Sequence, residues 1–250
     1  WQSDNDDDGN FGVRLNYILE YGNYGYRDEI DLAGWKSDRI SAHPEIPKRH
    51  WHQNDPGVVP NFVQTGAGSP TAITVYEGDL LPKIFQNQVI HCDAGPGVVW
   101  AAIKEPDGAG FKGHMVNLLK ETKRGWVKPV DPSTAPDGSL FVSDWYDPVV
   151  SWNRQWDVSR GRIYRLAPKN HKYQVEPTDV STPTMAAEAL KSPNSDARYL
   201  ARKALVGFDS KDSIKALGKI YKDKNPRVQA RALWLLVELE GDKKTTLKKA

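Results

Sequence analysis

The stretch DNDDDGN, Asp4 to Asn10, sets four carboxylates and two carboxamides within seven residues. With Asp4 as position one, Asp6 and Asp8 fall at positions three and five, and Gly9 at the sixth place, where calcium loops turn sharply. Hard oxygen donors at alternate positions are what calcium requires, so Asp4, Asp6 and Asp8 are candidate metal ligands. Leu15 stands where an EF-hand carries Glu. Such a loop would be closed by backbone carbonyls or residues elsewhere; the competing reading is a solvated acidic turn. In RHWHQNDPG, His50 and His52 share one face if the segment is extended, because strand side chains alternate with period two. With Asp55 nearby they could hold a metal or frame an acid/base pair, or be a loop pair bonded to backbone. His91 and Asp93 alternate onto one face in the same way, as a proton-transfer pair or a structural one. Cys92 between them points to the other face and reads as buried. Arg160, Arg162 and Arg165, around GRIYR, could contact an anionic cofactor or make salt bridges at a strand edge. Trp145 and Tyr146 offer a stacking surface for a flat ligand, or belong to the core.

Those residues need elements to position them. At 250 residues, 39% hydrophobic and 10% aromatic, the chain can bury a sizeable core as one large or two modest domains. The formal charge of +2 creates no field for nucleic acid or a membrane surface. Nowhere do enough apolar residues run together to span a bilayer. The opening WQSDNDDDGN lacks the basic-then-apolar pattern of a signal peptide, and lacks an initiator Met, so the chain reads as a fragment. A single cysteine, Cys92, permits no disulfide within the chain and no multi-cysteine zinc site.

Texture changes near residue 170. Before it, short strand-favouring runs such as TAITVY, NQVIHCD, GVVWAAI, GSLFVSDW and GRIYRLA are bounded by turn formers. After PTDVSTPT, apolar residues take helical spacing: Ala197, Leu200, Ala201, Ala204 and Leu205 form one stripe, and Val228, Ala232, Leu235, Leu236 and Leu239 another. DARYLAR (Asp196 to Arg202) aligns with NPRVQAR (Asn225 to Arg231), a 29-residue offset that suits a HEAT-type solenoid, with a plain helical hairpin as the alternative. Asn225 then reads as an N-cap and Pro226 as the first helical residue. NQVIHCD and GSLFVSD align without gaps at an offset of 51, each after a Pro-bearing turn and before another strand. Repeated antiparallel blades make a β-propeller; a β-sandwich is the competing architecture. The expected fold is therefore mostly β, with residues 1–170 forming about three blades of a propeller that closes with about four to eight, a linker at 171–182, and a small α-helical HEAT-like solenoid at 183–250.

At this point the motifs carry a resemblance. RLNYILEYGNYGYRDEI (Arg14 to Ile30) resembles the Asn-bearing strand and Gly-Asn-Tyr-Gly-Trp-Pro turn of pyrroloquinoline-quinone-type glucose/sorbosone dehydrogenases. GSPTAITVYEGDLLPKIFQNQVIHCDAGPGVVWAAIK is similar to a further blade of that family, and APDGSLFVSDWYD with GRIYRLAP to its closing blade. The order HWHQNDPGVVPN, TGAGSPT, VYEGDLLP, HCDAGP, DWYDP, then HEAT-like helices, resembles the membrane-bound dehydrogenases assigned by sequence in planctomycete-type bacteria.

The resemblance implies a six-bladed, extracytoplasmic (periplasmic) propeller that oxidises a sugar or alcohol with pyrroloquinoline quinone and calcium; polysaccharide is a ligand of the competing, non-catalytic reading. A base, often His, takes the alcohol proton while hydride passes to a quinone carbonyl. The candidates for proton transfer are His52, His91 and Asp93; those for cofactor contact are Tyr26, the aromatic of the turn, and Arg162. The electrons would pass to a cytochrome c, and the helices would dock a protein partner. Two departures count against a direct transfer of roles. Tyr26 and Arg27 replace the family's Trp-Pro, and the Arg-Asn-Pro loop has no equivalent in this chain, while the family's catalytic His lies in upstream blades. The competing function is a calcium-stabilised propeller without redox chemistry that binds carbohydrate or protein.

Overall fold

The computed structural model describes residues 1–4, 11–27, 44–45, 51, 55–66, 68–120, 127–146, 159–175 and 177–240. They fall into two compact units, one of Trp1–Ser133 with Leu140–Ala167, the other of Thr134–Ser139 with Pro168–Ala250. Among its described residues, the first unit holds three antiparallel sheets with no closed barrel. Sheet one joins β1 (Gln2–Ser3), β2 (Val13–Asn16) and β3 (Val63–Gly66). Sheet two joins β4 (Pro70–Val75), β5 (Val89–Asp93), β6 (Val98–Asp107) and β7 (Gly110–Lys120). Sheet three joins β8 (Pro129–Thr134), β9 (Leu140–Asp144) and β10 (Arg162–Leu166), with β9 central.

Every residue of β5 is buried, so its alternation separates two covered faces rather than core from solvent. Ile90 and Cys92, with Val99 and Ala101 of β6, pack against Leu140 and Val142 of β9. Val89 and Ala102 pack instead against Leu15, Phe62 and Val63 of the first sheet. The second sheet thus lies between the other two and supplies both interfaces. Its long β6–β7 hairpin turns at Gly108, whose φ of +58° favours a residue without Cβ. Gly113 permits close packing: a Cβ there would lie 2.5 Å from the Phe62 ring and 2.6 Å from the Ile103 carbonyl.

Among the described residues of the second unit are four helices, α1 (Pro183–Ala189), α2 (Ser195–Gly207), α3 (Ser210–Ile220) and α4 (Pro226–Glu240). Side chains cap their starts: Thr182 accepts from the Met185 N–H, Asn194 from Ala197 at 2.8 Å, and Asp209 from Lys211. Asn225 accepts from the Arg227 N–H at 3.0 Å, and Pro226 opens α4. The core takes Ala201 and Leu205 from α2, Leu217 and Ile220 from α3, and Val228, Ala232, Leu235 and Leu236 from α4. Leu200, placed on the first apolar stripe by its spacing, is instead exposed, because Ala197, Ala201 and Leu205 already cover that contact. Asn194→Ala should lower the stability of the helical unit by about 1 kcal/mol, the usual worth of an N-cap, read as a lower urea midpoint. No helix of the described residues is long and apolar enough to cross a membrane.

Candidate functional site

Three polar clusters hold the described candidates, one on each sheet. On the first, β1–β2 pairing sets Ser3 opposite Leu15 and Gln2 opposite Asn16. That register delivers Asp4 to Arg14 rather than to the acidic residues that follow it in sequence. Arg14 Nε donates to Asp4 Oδ2 at 2.6 Å, and Arg14 Nη2 to the Tyr24 carbonyl at 2.9 Å. The guanidinium lies 4.9 Å from the Trp51 ring centroid and 6.0 Å from that of Tyr26. Asp4 Oδ1 accepts from the Tyr26 hydroxyl at 2.8 Å and, at 3.5 Å, from Asn16 Nδ2. Burial first, then the Asp4 carboxylate, pushes the Tyr26 hydroxyl up to about 12. Asp4, placed by its spacing in a calcium loop, is therefore a buried ion-pair partner with both oxygens engaged. Tyr26, a cofactor candidate, is its hydrogen-bond donor. Asp6, Asp8 and His52 lie outside the described residues. Among those described, no three His, Cys, Asp or Glu side chains gather as a metal cage would.

On the second sheet, His91 and Asp93 share the face of β5 that the alternation assigns them, and both are fully buried. The His91 ring stacks on Trp100, its cross-strand neighbour, with 5.9 Å between centroids and 9° between planes. Among the described residues neither ring nitrogen has a hydrogen-bond partner, and burial lowers its pKa to about 4. His91 is thus a neutral imidazole sealed from solvent. Asp93 Oδ1 accepts from the backbone N–H of Ser69 at 2.7 Å and of Gly95 at 3.1 Å. Burial raises its carboxyl to about 6 against the opposing pull of those two N–H groups and the Lys128 charge. Burial also pushes the Cys92 thiol up, so the thiol stays protonated and inert.

The third sheet repeats the arrangement. Asp144 ends β9 as Asp93 ends β5, and its Oδ1 accepts from the backbone N–H of Lys128 at 2.8 Å and of Tyr146 at 2.9 Å. Ser69 and Lys128 both stand immediately before the proline that opens an outer strand of their sheet, Pro70 and Pro129. In each sheet an aspartate therefore ties its own strand end to the residue two onward and to the start of the adjoining strand. The 51-residue offset makes the two aspartates equivalent, and the structure gives them one job. They differ in the other oxygen. Asp144 Oδ2 takes Arg162 Nη2 at 2.9 Å and the Tyr164 hydroxyl at 3.3 Å, because Arg162 is its register partner. Val98 fills that register position opposite Asp93, and among the described residues Asp93 Oδ2 has no hydrogen-bond partner.

Both cofactor candidates keep some exposure: Tyr26 is 41% exposed, and Arg162 has about a third of its side chain exposed. Its guanidinium lies 5.6 Å from the Tyr146 ring centroid and 5.5 Å from that of Tyr164. Arg160 lies 5.4 Å from the Tyr146 centroid and donates to its hydroxyl at 3.0 Å. Lys128 is buried, with its Nζ 3.4 Å from the Gly95 carbonyl, so the ends of sheets two and three share one network of alternating charge. Arg14, Lys128 and Asp144 are functional-site neighbours that motif reading missed. Aligning Asp144 with Asp93 was the available signal for one; for Arg14 and Lys128 only strand pairing supplies it. A Cβ on Gly68 would overlap the Asp93 carboxylate, so Gly68→Ala should unseat the Ser69 hydrogen bond and lower the stability by about 1–3 kcal/mol, read from urea unfolding.

Comparison with known proteins adds the following. Residues 182–249 match a model of HEAT repeats. A solved structure from Thermus thermophilus, assigned as an oxidoreductase (glucose dehydrogenase), is similar over 65% of this chain at 16% identity and a TM-score of 0.41. The chain spans 40% of that protein's length. No curated protein matches the chain. Residues 31–170, more than half of the chain, match the family described as a domain of unknown function, DUF7133, and the protein belongs to that family.

Proposed function

We propose that residues 1–170 form about three blades of a six-bladed, extracytoplasmic propeller that oxidises a sugar or alcohol with a quinone cofactor, and that the helices dock a protein partner. The observation that carries this reading is the cationic and aromatic end of the third sheet. Arg160 and Arg162 flank the Tyr146 ring, and Trp145 beside it is half exposed. Guanidiniums pair with carboxylates in bidentate geometry, and flat rings stack on flat ligands. This donor set therefore fits a planar polyanion such as pyrroloquinoline quinone, which when bound supplies the carbonyl that accepts two electrons. Arg160 and Arg162 would hold and orient its carboxylates. Asp144 fixes Arg162 from behind. Proton removal falls to His52 among the sequence candidates, since His91 is sealed against Trp100. Calcium belongs, on this proposal, to the loop of Asp6 and Asp8 and takes no part in proton transfer. A cytochrome c would collect the electrons.

The test is calorimetric titration of the metal-stripped full chain with pyrroloquinoline quinone, with and without calcium. Binding is expected, and Arg160→Ala should weaken it roughly tenfold, the worth of one charge-assisted contact. No quinone binding, with calcium still raising the melting temperature, would sink the oxidoreductase reading. A calcium-stapled recognition module would remain.

A further inference from the structure

The helical unit contains a groove of about 320 Å³ that the redox reading does not use. Two stripes at i, i+3, i+4 and i+7 build it. Ser195, Arg198, Tyr199 and Arg202 of α2 form one; Arg231, Trp234, Leu235 and Glu238 of α4 form the other. These helices are equivalent members of successive 29-residue repeats, and Arg202 and Arg231 occupy the same repeat position. The opposite faces of both helices are spent in the core. What is left to the groove is unusual for a surface meant to face water. Trp234 is 71% exposed and Tyr199 60%, and Leu190 and Leu235 add apolar wall. Large exposed aromatics grouped with arginine have the composition of binding hot spots.

The charge at the groove points to one kind of occupant. Three arginines line it against one carboxylate, and Glu238 is already held by Arg202 Nη2 at 2.8 Å to each oxygen. Arg231 Nη1 donates to the Leu190 carbonyl, and Arg198 Nη1 to those of Ser192 and Pro193. The cations are therefore fixed in place before anything binds, which lowers the ordering cost of association. The surrounding segment agrees in sign: residues 183–250 carry 15 Lys and Arg against eight Asp and Glu. A uniform polyanion would be served by cations spread along a track. Here they ring a single apolar recess. We infer that the groove captures an acidic protein segment in which an apolar side chain, inserted against Trp234, is flanked by carboxylates that meet Arg202 and Arg231.

This inference rests on the docking role given to the helices and is independent of the redox reading. The probe is a fluorescently labelled peptide alternating Glu with Leu, titrated with the full chain and read by anisotropy. An all-Glu peptide, a peptide alternating Lys with Leu, and a short DNA duplex serve as comparators. The Glu/Leu peptide is expected to bind best. Trp234→Ala should weaken it about tenfold or more, as for a central hot-spot residue, and Arg202→Ala several-fold. Because both side chains are exposed, matching melting curves should show the fold intact. Equal binding of the Lys/Leu peptide, of all-Glu or of DNA would overturn the acidic-apolar specificity while leaving the helices a docking surface. No binding of any probe would overturn the docking role as well.

Discussion

Asp4→Ala is expected to cost about 3–5 kcal/mol of stability, the penalty for stranding one member of a buried ion pair. Arg14 is wholly buried. Among the described residues its Nε donates to the Asp4 carboxylate at 2.6 Å, and its Nη1 has no partner. Removing the carboxylate leaves the cation with the Tyr24 carbonyl and two aromatic faces, which offset only a fraction of the desolvation cost. The double variant Asp4→Leu with Arg14→Met should recover most of the loss, since replacing both charges with apolar groups removes the penalty together with the attraction. Urea unfolding of these variants beside the unmodified protein measures this directly. Adding calcium should leave the Asp4→Ala deficit unchanged. A deficit under about 1 kcal/mol would mean that water reaches the guanidinium. Asp4→Asn adds a second readout, because Tyr26 should then titrate below about 12 but above the ordinary tyrosine value, burial being the larger cause of its shift.

Asp4 shows what a sequence does and does not carry. Strand and helix runs were legible because they depend on neighbours: the alternation of VIHCD and the cap Asn225 are local facts. So was the equivalence of NQVIHCD and GSLFVSD, which aligns Asp144 with Asp93. The role these two share was not legible, because it depends on backbone N–H groups of Ser69 and Lys128 that pairing brings in from other strands. Asp4 was grouped with Asp6 and Asp8 by proximity in the chain. The antiparallel register of β1 and β2 instead offered it Arg14, ten residues on. Leu200 failed for a related reason: helical spacing names a face but not how much of it the neighbours can cover. Arg162 was legible as a strand-borne cation, whereas its attachment to Asp144 follows from cross-strand register alone.

His91 and Asp93 should impose opposite pH dependences on the same fold, and substituting either should expose the other. His91 has its pKa lowered from 6.5 to about 4. As pH falls through that window the unfolded chain gains a proton that the native imidazole refuses, so stability falls with it, by about 3 kcal/mol in all at 1.36 kcal/mol per unit. Asp93 has its pKa raised from 3.8 to about 6. Its contribution is fully present below 3.8 and is lost as pH rises to about 6, because the unfolded chain releases a proton that the native carboxyl keeps; the total is again about 3 kcal/mol. Between pH 4 and 6 the two slopes nearly cancel. Asp93→Asn keeps an acceptor for Ser69 and Gly95, and leaves His91 unopposed: relative to the unmodified protein, its stability should drop as pH falls from 6 to 4. His91→Phe keeps a flat ring against Trp100, and its relative stability should climb over the same interval. Chemical denaturation at several pH values, taken as differences from the unmodified protein, isolates the pair from carboxylates common to all three proteins. Crossing difference curves are the expected result. Flat ones would mean that solvent reaches this face of β5, and that His91, open to water, could also meet a substrate.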